Sequence, residues 1–545
     1  MKLLNINKSI FFIIFAWLIL TSININKSFH IDDTAYLEIA KWIESNPLNP
    51  MSAEVNWGDK LQVNWEDKNI NKWQSFHPPL FMYLIAFWGK IFSYDEVSLH
   101  ILLSIFTFWV IFRFYSISKL LDKKDPIFLT LILCISPALV MGQNLMLDIP
   151  LMAIWFEFLF CILNFKYTEG KKFFLASFLF SIGMLLKYST ILLFPILLYK
   201  ILISKNKIFN LIWLSIPILV LLLWSLFNIY DFGGIHFLQM PQKTIWLYKY
   251  FESSIGFIVT MGAVSPFVSI MILNIYLDNS KKVIQLILIF IITLSLLSAL
   301  TTVMTYFVNL NNGFVNKFLY FLFFFNGLII VIYFLIFTFK KIKIFNIHSV
   351  DIIFIYLIVS IPIFIVLFAP FVASRHVLLV LPFLILFFSE NLILRSKAKI
   401  IISFFFIIFS LSTIMYSISD SNLSKIYKIY ASKISKELTG ENNVWFKGHW
   451  GWQWYAKKNG MKHLININEI KNGDYLVIPN NVSGSSLPEL DLSLVKKYTI
   501  EKKLKYQNFS TLFFYSYFNF YNMNIKQKFY SNEPIEIFSI YQLKK

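Results

Sequence analysis

Charged residues and cysteines are both scarce in this sequence. Of its 545 residues only 14% are charged and 2 are cysteine, whereas 57% are hydrophobic and 60 are phenylalanine. A soluble domain of this length could not hide so much apolar surface in its interior. Apolar runs of about 20 residues, each long enough to cross the hydrocarbon layer of a membrane, recur through most of the chain. The composition therefore predicts a polytopic α-helical membrane protein.

The scarcity of cysteine excludes a disulfide framework, and the distribution of charge argues against nucleic acid as a partner. Cys134 and Cys161 lie inside apolar runs, where cysteine packs as a small hydrophobic side chain. The formal net charge is +19, but the basic residues are spread over short loops between apolar runs. Membrane proteins place lysine and arginine in such loops for orientation.

The apolar runs predict about thirteen spans, the first of them an uncleaved signal anchor. Lys2 and Lys8 precede this first run, and no small-residue cleavage site follows it. The predicted spans cover residues 9–25, 97–116, 126–143, 148–165, 172–187, 189–204, 208–229, 254–277, 283–307, 316–340, 350–369, 374–391 and 398–416.

The basic loops predict the orientation of the chain. With the N-terminus in the cytoplasm, every short inner loop is basic, as the positive-inside rule requires. The residues concerned are Lys119, Lys123, Lys124, Lys166, Lys171, Lys172, Lys205, Lys207, Lys281, Lys282, Lys340, Lys341, Lys343, Arg395, Lys397 and Lys399. An odd number of spans then leaves the C-terminus outside.

Two long loops and the C-terminal part of the chain lie on the predicted outer side. The loops cover residues 26–96 and 230–253, within a membrane module that ends at residue 418. Residues 419–545 are rich in lysine and in turn signals, so we expect a small extracytoplasmic α/β domain there. Its expected elements are strands at 475–478 and 511–518 and a helix at 452–458.

Asp32 and Asp33 form a pair of acids just outside the first span. They precede an amphipathic stretch in which Tyr36, Ile39 and Ile43 share one face with Ala40. One interpretation is a helix N-cap, with the second acid stabilised by the helix dipole. The other is catalysis, since a carboxylate at the membrane surface suits a general base acting on the acceptor hydroxyl in glycosyl transfer.

His77 and Asp148 are further polar residues at predicted outer ends. His77 precedes two prolines and an amphipathic run at 80–92, so a proline-enforced turn is one explanation for it. Asp148 begins a span and has a proline two residues on, which helix capping would explain. Because both lie on the same predicted face as Asp32, a role in substrate binding is the alternative for each.

Lys187 and Arg375 are the candidate anion contacts. Lys187 ends a span on the outer side, where snorkelling or the helix C-terminus would account for it. Arg375 begins a span on the outer side, against the positive-inside bias and at a helix end whose dipole disfavours a cation. A bound anion would offset that cost, and a guanidinium matches phosphate with two parallel hydrogen bonds. Arg375 is therefore the predicted phosphate ligand.

These segments resemble motifs of the polyprenyl-phosphate-sugar-dependent glycosyltransferases of the GT-C fold. The branch they resemble comprises bacterial relatives of the protein O-mannosyltransferases (glycosyltransferase family 39) and of lipid A aminoarabinose transferase. The matching segments, in the family's order, are Asp32-Asp33-Thr34-Ala35-Tyr36, His77-Pro78-Pro79-Leu80, Asp148-Ile149-Pro150-Leu151, Gly183-Met184-Leu185-Leu186-Lys187-Tyr188, Arg375-His376-Val377-Leu378-Leu379 with Pro382 and, more loosely, Gly448-His449-Trp450-Gly451. Asp33 stands where the family has glutamate and His376 where it has tyrosine, so donor or acceptor specificity is expected to differ.

The resemblance implies an inverting transferase that moves a hexosyl or pentosyl group from a polyprenyl-phosphate donor to an envelope acceptor. The acceptor would be a protein, lipid A or another glycan. On this basis Asp32, with Asp33 beside it, is the catalytic base, and Arg375 and Lys187 bind the donor phosphate as it leaves. The other expected substrate contacts are His77, Asp148 and Tyr36, with His449 and Trp450 from the outer domain.

The resemblance also implies a location and raises the question of a metal. The expected location is the cytoplasmic (inner) membrane of a bacterium, among membrane lipids, with the site on the outer face. Some relatives bind a divalent metal near the site. Asp32, Asp148 and His77 are the candidate ligands, although nothing in the sequence requires a metal.

A dense aromatic cluster marks the outer domain, and its role is open at this point. Its members are Trp445, His449, Trp450, Trp452, Trp454 and Tyr455. They would build the core of the domain and part of the interfacial belt, or they would form a stacking surface for an acceptor glycan or lipid headgroup.

Two other functions compete with the transferase. A transporter or flippase of lipid-linked sugars would explain the many spans and a cationic cavity. Against it, the sequence shows no matched pair of broken helices, and few charges lie near the bilayer centre. A non-catalytic scaffold for envelope assembly would leave Arg375 unexplained.

Overall fold

The chain forms a bundle of α-helices followed by a small β-sheet, as a computed structural model shows. The structure describes residues 2–52, 77–238, 247–265, 267, 268, 270, 271, 285, 289, 312–343, 348–369, 372–392, 399–438, 440, 442–482, 488–500, 534 and 536–544. The helices are α1 (Lys2–Asn24), α2 (Asp33–Ser45), α3 (Leu80–Phe92), α4 (Glu96–Leu120), α5 (Pro126–Cys134), α6 (Pro137–Met141), α7 (Asp148–Leu163), α8 (Glu169–Leu186), α9 (Phe194–Leu202), α10 (Lys207–Asn210), α11 (Ser215–Phe232), α12 (Leu247–Val264), α13 (Asn312–Lys343), α14 (Ser349–Phe368), α15 (Ser374–Leu378), α16 (Leu381–Phe387), α17 (Lys399–Glu437) and α18 (Trp450–Lys458). Short 3₁₀ helices lie at Pro50–Ser52, Tyr188–Leu193, Leu211–Leu214, His236–Leu238, Ser389–Leu392 and Ile467–Glu469.

Within the part of the chain that the structure describes, five helices are long and apolar enough to cross a membrane. They are Glu96–Leu120, Lys207–Asp231, Lys317–Lys343, Ser349–Phe368 and Ser403–Glu437. Shorter apolar helices at Lys8–Asn24, Tyr188–Leu202, Tyr250–Val264 and Ser374–Phe387 coincide with other predicted spans. The prediction of a polytopic helical membrane protein is confirmed. The predicted span at 283–307 lies outside the described residues apart from two single positions.

Prolines interrupt predicted spans that the apolar pattern treats as continuous. The span predicted at 126–143 is divided into α5 and α6, because Ser136 before Pro137 is extended, with φ −64° and ψ 128°. The span predicted at 189–204 begins as a 3₁₀ helix and becomes α9 only at Phe194, next to a proline. The span predicted at 374–391 is divided into α15 and α16, and the latter has a proline in its first turn.

Helix α17 is much longer than the last predicted span, at 398–416. It continues to Glu437, so the predicted domain boundary at residues 418 and 419 falls inside a helix, and the division into two domains stays a prediction. Beyond that point Leu423, Ile426 and Ile434 are buried at helical spacing, whereas neighbouring lysines are exposed. An amphipathic helix therefore joins the membrane module to the C-terminal sheet.

Contacts at one end of the bundle join segments that the basic loops assign to the inner side. Lys341 Nζ lies 2.7 Å from Asp351 Oδ1, and Lys200 Nζ donates a hydrogen bond to Ser349 Oγ at 3.3 Å. Spans that alternate in direction require the inner-side segments to lie at the same end of the bundle, as these do. Which end faces the cytoplasm stays a prediction.

The C-terminal sheet contains five strands in the described residues, in the order β2-β1-β3-β5-β4. They are β1 (Val444–Phe446), β2 (Lys462–His463), β3 (Tyr475–Pro479), β4 (Leu492–Ile500) and β5 (Glu536–Leu543). β1 pairs in parallel with β2 and β3, whereas β5 is antiparallel to β3 and β4. The strand predicted at 475–478 and the helix predicted at 452–458 are confirmed as β3 and α18. The strand predicted at 511–518 lies outside the described residues.

The aromatic cluster of the C-terminal region is mostly core. Trp452 is fully buried and packs against Phe538 of β5, with ring centroids 5.0 Å apart. Trp445, Trp454 and Tyr455 are buried as well. For these residues the structural interpretation holds and the exposed stacking surface does not.

Asp474 ties together the loops that precede β1 and β3. Its carboxylate accepts hydrogen bonds from Trp445 Nε1 at 2.8 Å, Asn443 N at 3.0 Å and Lys471 N at 3.1 Å. Burial alone would raise the pKa of Asp474, but these donors hold it below its usual value. The ionised form is therefore the one that the fold stabilises.

Replacing Asp474 by alanine is expected to destabilise the C-terminal sheet by about 1–3 kcal/mol, because the buried indole N–H of Trp445 and two partly buried backbone N–H groups lose their acceptor. The contribution of Asp474 should be complete above the pKa of an unfolded aspartate and should fade as the pH falls through the lower folded pKa. Thermal unfolding of purified protein at pH 7 and at pH 3 measures both effects. A loss of stability on mutation that is as large at pH 3 as at pH 7 would contradict the account.

Candidate active site

Arg375 and Asp32 meet at the centre of the candidate site. Arg375 Nη1 lies 2.8 Å from Asp32 Oδ2, and both side chains keep some exposure, 14% for Arg375 and 31% for Asp32. The same nitrogen contacts Met146 Sδ at 2.9 Å, and Arg375 Nε lies 3.9 Å from Asp148 Oδ2. The sequence predicted that an anion offsets the electrostatic cost of placing the Arg375 cation at a helix N-terminus. In this structure two carboxylates do so.

Asp148 and Lys187 form a second ion pair beside the first. Lys187 Nζ lies 2.9 Å from Asp148 Oδ1. Helix α7 begins at Asp148 itself and the N-cap position is Leu147, so the carboxylate is not acting as the cap. Lys187 follows α8 in an extended conformation, with φ −158° and ψ 130°. Helix capping does not explain Asp148 and snorkelling does not explain Lys187, because the two side chains form an ion pair with each other.

Gly183 explains how Lys187 reaches Asp148. A Cβ at this position would lie 2.7 Å from Thr190 Cγ2, so the 3₁₀ helix after Lys187 packs directly against α8. Thr190 in turn accepts a hydrogen bond from Trp155 Nε1 of α7 at 3.2 Å. The close approach of these segments fixes the turn that carries Lys187.

Replacing Gly183 by valine is expected to push the 3₁₀ helix away and to move Lys187 from Asp148. Since a misplacement of about 1 Å can cost about 10²-fold in rate, the variant should lose transfer activity while still folding and inserting. Gly170 provides a matched control, because a Cβ there meets nothing within 4 Å. Wild-type kinetics in Gly183→Val would contradict the role given to this contact.

His77 and Tyr36 lie in the electrostatic field of this centre. Burial and the nearby cation of Lys187 hold the pKa of His77 well below its usual value, so its imidazole is neutral at pH 7. Burial and the carboxylate of Asp32 raise the pKa of Tyr36 well above its usual value, so its hydroxyl keeps its proton. Both are therefore neutral groups able to form hydrogen bonds, and their predicted contact with substrate stays a prediction.

Asp33 is not brought to the centre. Its side chain is almost fully buried, and Oδ2 accepts a hydrogen bond from the backbone of His30 at 3.1 Å. Helix α2 starts at Asp33, and Asp32 in the N-cap position makes no side-chain capping bond. The two acids therefore have different partners. Asp32 faces Arg375, whereas Asp33 fixes the segment before α2 through the backbone of His30. The catalytic role predicted for Asp33 receives no support from these contacts.

His449 and Trp450 lie in the C-terminal part of the chain, at the start of α18. His449 is buried, with Nδ1 3.1 Å from Gln453 Oε1, and its ring meets His463 edge-on at 5.6 Å. Trp450 begins α18 in the left-handed region, with φ 60°. Their predicted contact with substrate stays a prediction.

The structure adds residues that sequence reasoning missed. Tyr188 Oη lies 2.8 Å from His236 Nδ1 and accepts a hydrogen bond from Trp224 Nε1 at 2.9 Å. Tyr188, the residue after Lys187, is thereby connected to α11 through Trp224 and to the 3₁₀ helix after α11 through His236. The signals in the sequence were the position of Tyr188 next to a site lysine and of His236 in a predicted outer loop.

The geometry gives no support to the predicted metal ligands. Within the described ranges, no group of three or more His, Cys, Asp or Glu side chains could hold a metal ion. Asp32 and Asp148 pair with the cations Arg375 and Lys187. This set of charges fits an anionic ligand at the cations better than a divalent metal at the acids.

Fold and site together define a polytopic membrane protein with paired acids and cations at one end of its helix bundle. Residues 76–230 match the family described as dolichyl-phosphate-mannose-protein mannosyltransferase. The matched segment contains His77, Asp148 and Lys187, and it confirms over this range the resemblance predicted from the motifs. Asp32 and Arg375 lie outside it.

The other comparisons add little. Among solved structures the chain is similar to the crystal structure of ArnT from Cupriavidus metallidurans bound to undecaprenyl phosphate, with a TM-score of 0.41 and 10% sequence identity over 87% of this chain and 92% of that chain. This likeness is too low to support a statement about function. No match to the curated proteins was found.

Proposed function

We propose that this protein is a membrane glycosyltransferase of the GT-C fold that moves a sugar from a polyprenyl-phosphate donor to an envelope acceptor. The observation that carries the proposal is the convergence of Asp32, Asp148, Lys187 and Arg375 on one site. These residues come from four distant segments. The family match over residues 76–230 supports the same reaction class.

The reaction needs a base for the acceptor and positive charge for the leaving phosphate. The acceptor hydroxyl oxygen attacks the anomeric carbon, while Asp32 takes the hydroxyl proton. The bond from that carbon to the phosphate oxygen breaks, and the polyprenyl phosphate leaves with the electron pair. Arg375 and Lys187 stabilise the charge that builds on the phosphate. One displacement of this kind inverts the anomeric centre, whether the sugar is a hexose or a pentose.

Donor binding changes the partners of Arg375 in this scheme. A guanidinium has five N–H donors, and the described contacts engage Nη1 with Asp32 and Nε with Asp148. A phosphate that competes with these carboxylates for the guanidinium would weaken the hold of Arg375 on Asp32. Asp32 would then be available to the acceptor only when a donor is in place.

An apolar groove near Lys187 suits the lipid part of the donor. The groove has a volume of about 490 Å³ and lies between α14 and the 3₁₀ helix that follows Lys187. Its lining residues are Leu192, Ile355, Tyr356, Val359, Ser360, Ile363, Phe364, Leu367 and Phe368. Leu192 follows Lys187 by five residues, which is about 10 Å along a 3₁₀ helix. A polyprenyl chain leaving a phosphate at Lys187 could therefore enter this groove.

Filling the groove by Ile363→Trp is expected to raise the KM for a long-chain polyprenyl donor about tenfold and to leave kcat nearly unchanged. The reason is that the groove contributes binding that is equal in ground state and transition state. Donors with a short lipid tail should be affected much less, and this comparison is the internal control. Equal effects on long and short donors would exclude the groove as the lipid site.

The proposed location is the outer face of a bacterial cytoplasmic membrane, with the N-terminus inside and the C-terminal domain outside. This proposal rests on the basic loops of the sequence. Protein, lipid A and other envelope glycans are the acceptor classes to be compared.

The transferase and the transporter or flippase alternative are separated by one experiment. Purified protein in nanodiscs receives a panel of radiolabelled polyprenyl-phosphate sugars together with candidate acceptors. We expect transfer or sugar release by the wild-type protein and none by Asp32→Asn. Movement of donor across vesicles without any turnover would instead support a transporter.

A further inference from the structure

A cluster of charged side chains is buried directly behind the candidate site. Lys27 keeps only 1% of its side-chain surface exposed, Asp420 of α17 keeps 0%, and His30 keeps 2%. Asp33 is buried beside them. Lysine and aspartate are almost never buried this completely unless they are paired.

Lys27 contacts three partners in and around the cluster. Its Nζ forms an ion pair with Asp420 and donates hydrogen bonds to Asn144 Oδ1 at 2.5 Å and to the Met141 carbonyl at 3.3 Å. His30 lies between the two acids, with Nε2 3.5 Å from Asp420 Oδ2 and Nδ1 3.5 Å from Asp33 Oδ2.

The cluster holds as many basic as acidic side chains. Burial is the largest influence on His30 and opposes a charge there, but the carboxylates of Asp420 and Asp33 together outweigh it, and the pKa of His30 is raised above its usual value. Two basic side chains thus face two acidic ones. A hydrophobic group of similar volume would often be as stable as such a buried set, so stability alone is a weak reason for its presence.

The cluster joins the two segments that carry the acids of the site. Residues 27–33 lead directly into α2 and carry Asp32, which contacts Arg375. The connection between α6 and α7 carries Asn144, which Lys27 contacts, and Met146, and it leads directly into Asp148 at the start of α7. Asp420 of α17 pairs with Lys27 and lies near His30 in the first segment. A shift of Lys27 would therefore move Asp32 and Asp148 relative to each other.

We propose that Lys27, His30 and Asp420 are positioning residues that hold Asp32 and Asp148 in the geometry required for transfer. The proposal rests on the proposed function, because it assigns these residues to the same reaction. It predicts that the cluster acts on turnover through the position of Asp32, without touching the substrate.

The outer domain holds the same segment from the opposite side. Tyr455 of α18 accepts a hydrogen bond from the backbone N–H of Phe29 at 2.9 Å and donates one to Glu96 Oε1 at 2.6 Å. A Cβ at Gly451 would lie 2.5 Å from the Phe29 carbonyl, so α18 rests directly on this backbone. Residues 27–33 are therefore fixed on two sides, and the C-terminal domain takes part in placing Asp32.

The test replaces the buried ion pair by apolar groups of similar size. Single changes leave an unpaired buried charge and are expected to destabilise the protein, so the informative variant is the double change Lys27→Met/Asp420→Leu. We expect a melting temperature close to that of the wild type, a donor KM within about threefold, and a kcat lowered about 10- to 100-fold. The split between KM and kcat at unchanged stability is the signature of positioning.

A second ion pair at the opposite end of the bundle provides the matched control. Lys341→Met/Asp351→Leu makes the same two substitutions in a partly buried pair, with side chains 19% and 9% exposed, far from Asp32, and its kcat should equal that of the wild type. Wild-type kcat in the Lys27→Met/Asp420→Leu variant would overturn the positioning role. Absence of transfer by the wild-type protein with every donor would overturn the proposed function instead.

Discussion

Replacing Asp32 by asparagine is expected to lower kcat for sugar transfer by about 10²- to 10⁴-fold, the range that a general base contributes. The asparagine oxygen can still accept a hydrogen bond from Arg375, so the local geometry should persist. What the variant loses is the ability to take the proton of the acceptor hydroxyl. Steady-state transfer from a labelled donor, together with donor binding and melting temperature, measures the loss.

Glu38 is the matched control for Asp32. It lies on α2, the helix that directly follows Asp32, and its carboxylate pairs with Lys457 instead of a site cation. Glu38→Gln should leave kcat within about twofold of wild type, because an exposed pair of this kind contributes little. An Asp32→Asn variant that keeps the wild-type kcat would remove Asp32 from the mechanism.

Replacing Arg375 by alanine is expected to reduce kcat/KM by about 10²- to 10³-fold or more, because charge stabilisation at the leaving phosphate is lost. Asp32 and Asp148 would also lose a shared cationic partner. Arg375→Lys restores the positive charge without the planar fork of the guanidinium, so it should recover only part of the activity. Binding of polyprenyl phosphate itself, measured by competition with the donor, should weaken in the same order.

The donor-binding result separates two roles for Arg375. Weakened binding in Arg375→Ala with a folded protein supports the phosphate contact. Unchanged binding together with lost turnover would show that Arg375 serves only to hold Asp32 and Asp148. Unchanged binding and unchanged turnover would contradict both roles.

The main residues of the site were predictable because the membrane restricts where polar groups can stand. Asp148, Lys187 and Arg375 were selected as polar side chains at outer span ends without a role in orientation. Alternating spans bring such ends to one side of the bundle, and the structure joins the three residues in one site. The ion pairs between them required the tertiary structure.

Adjacent residues on a helix caused the main uncertainty at the acidic pair. Successive residues of an α-helix point about 100° apart, so Asp32 and Asp33 cannot both face the same ligand. The sequence contains no rule for choosing between them. Packing decides it, because Asp33 turns inward to His30 while Asp32 faces Arg375.

The buried cluster was out of reach of sequence reasoning for a different reason. Lys27 and His30 look like polar residues flanking the first span, and Asp420 lies beyond the last predicted one. Their burial depends on the continuation of α17 past residue 419. The apolar run ends near that residue, so the sequence shows no sign that the helix continues. An amphipathic helix outside the membrane contains no continuous apolar run by which it could be recognised.

The central claim is tested most directly by a single-turnover reaction of wild-type protein and Asp32→Asn with a labelled polyprenyl-phosphate sugar and an acceptor. The account predicts that the wild type forms free polyprenyl phosphate and glycosylated acceptor in equal amounts, and that Asp32→Asn binds the donor but forms both products at least about 10²-fold more slowly. Release of polyprenyl phosphate by Asp32→Asn at the wild-type rate would contradict it. So would a wild type that binds the donor and moves it across a bilayer without cleaving it.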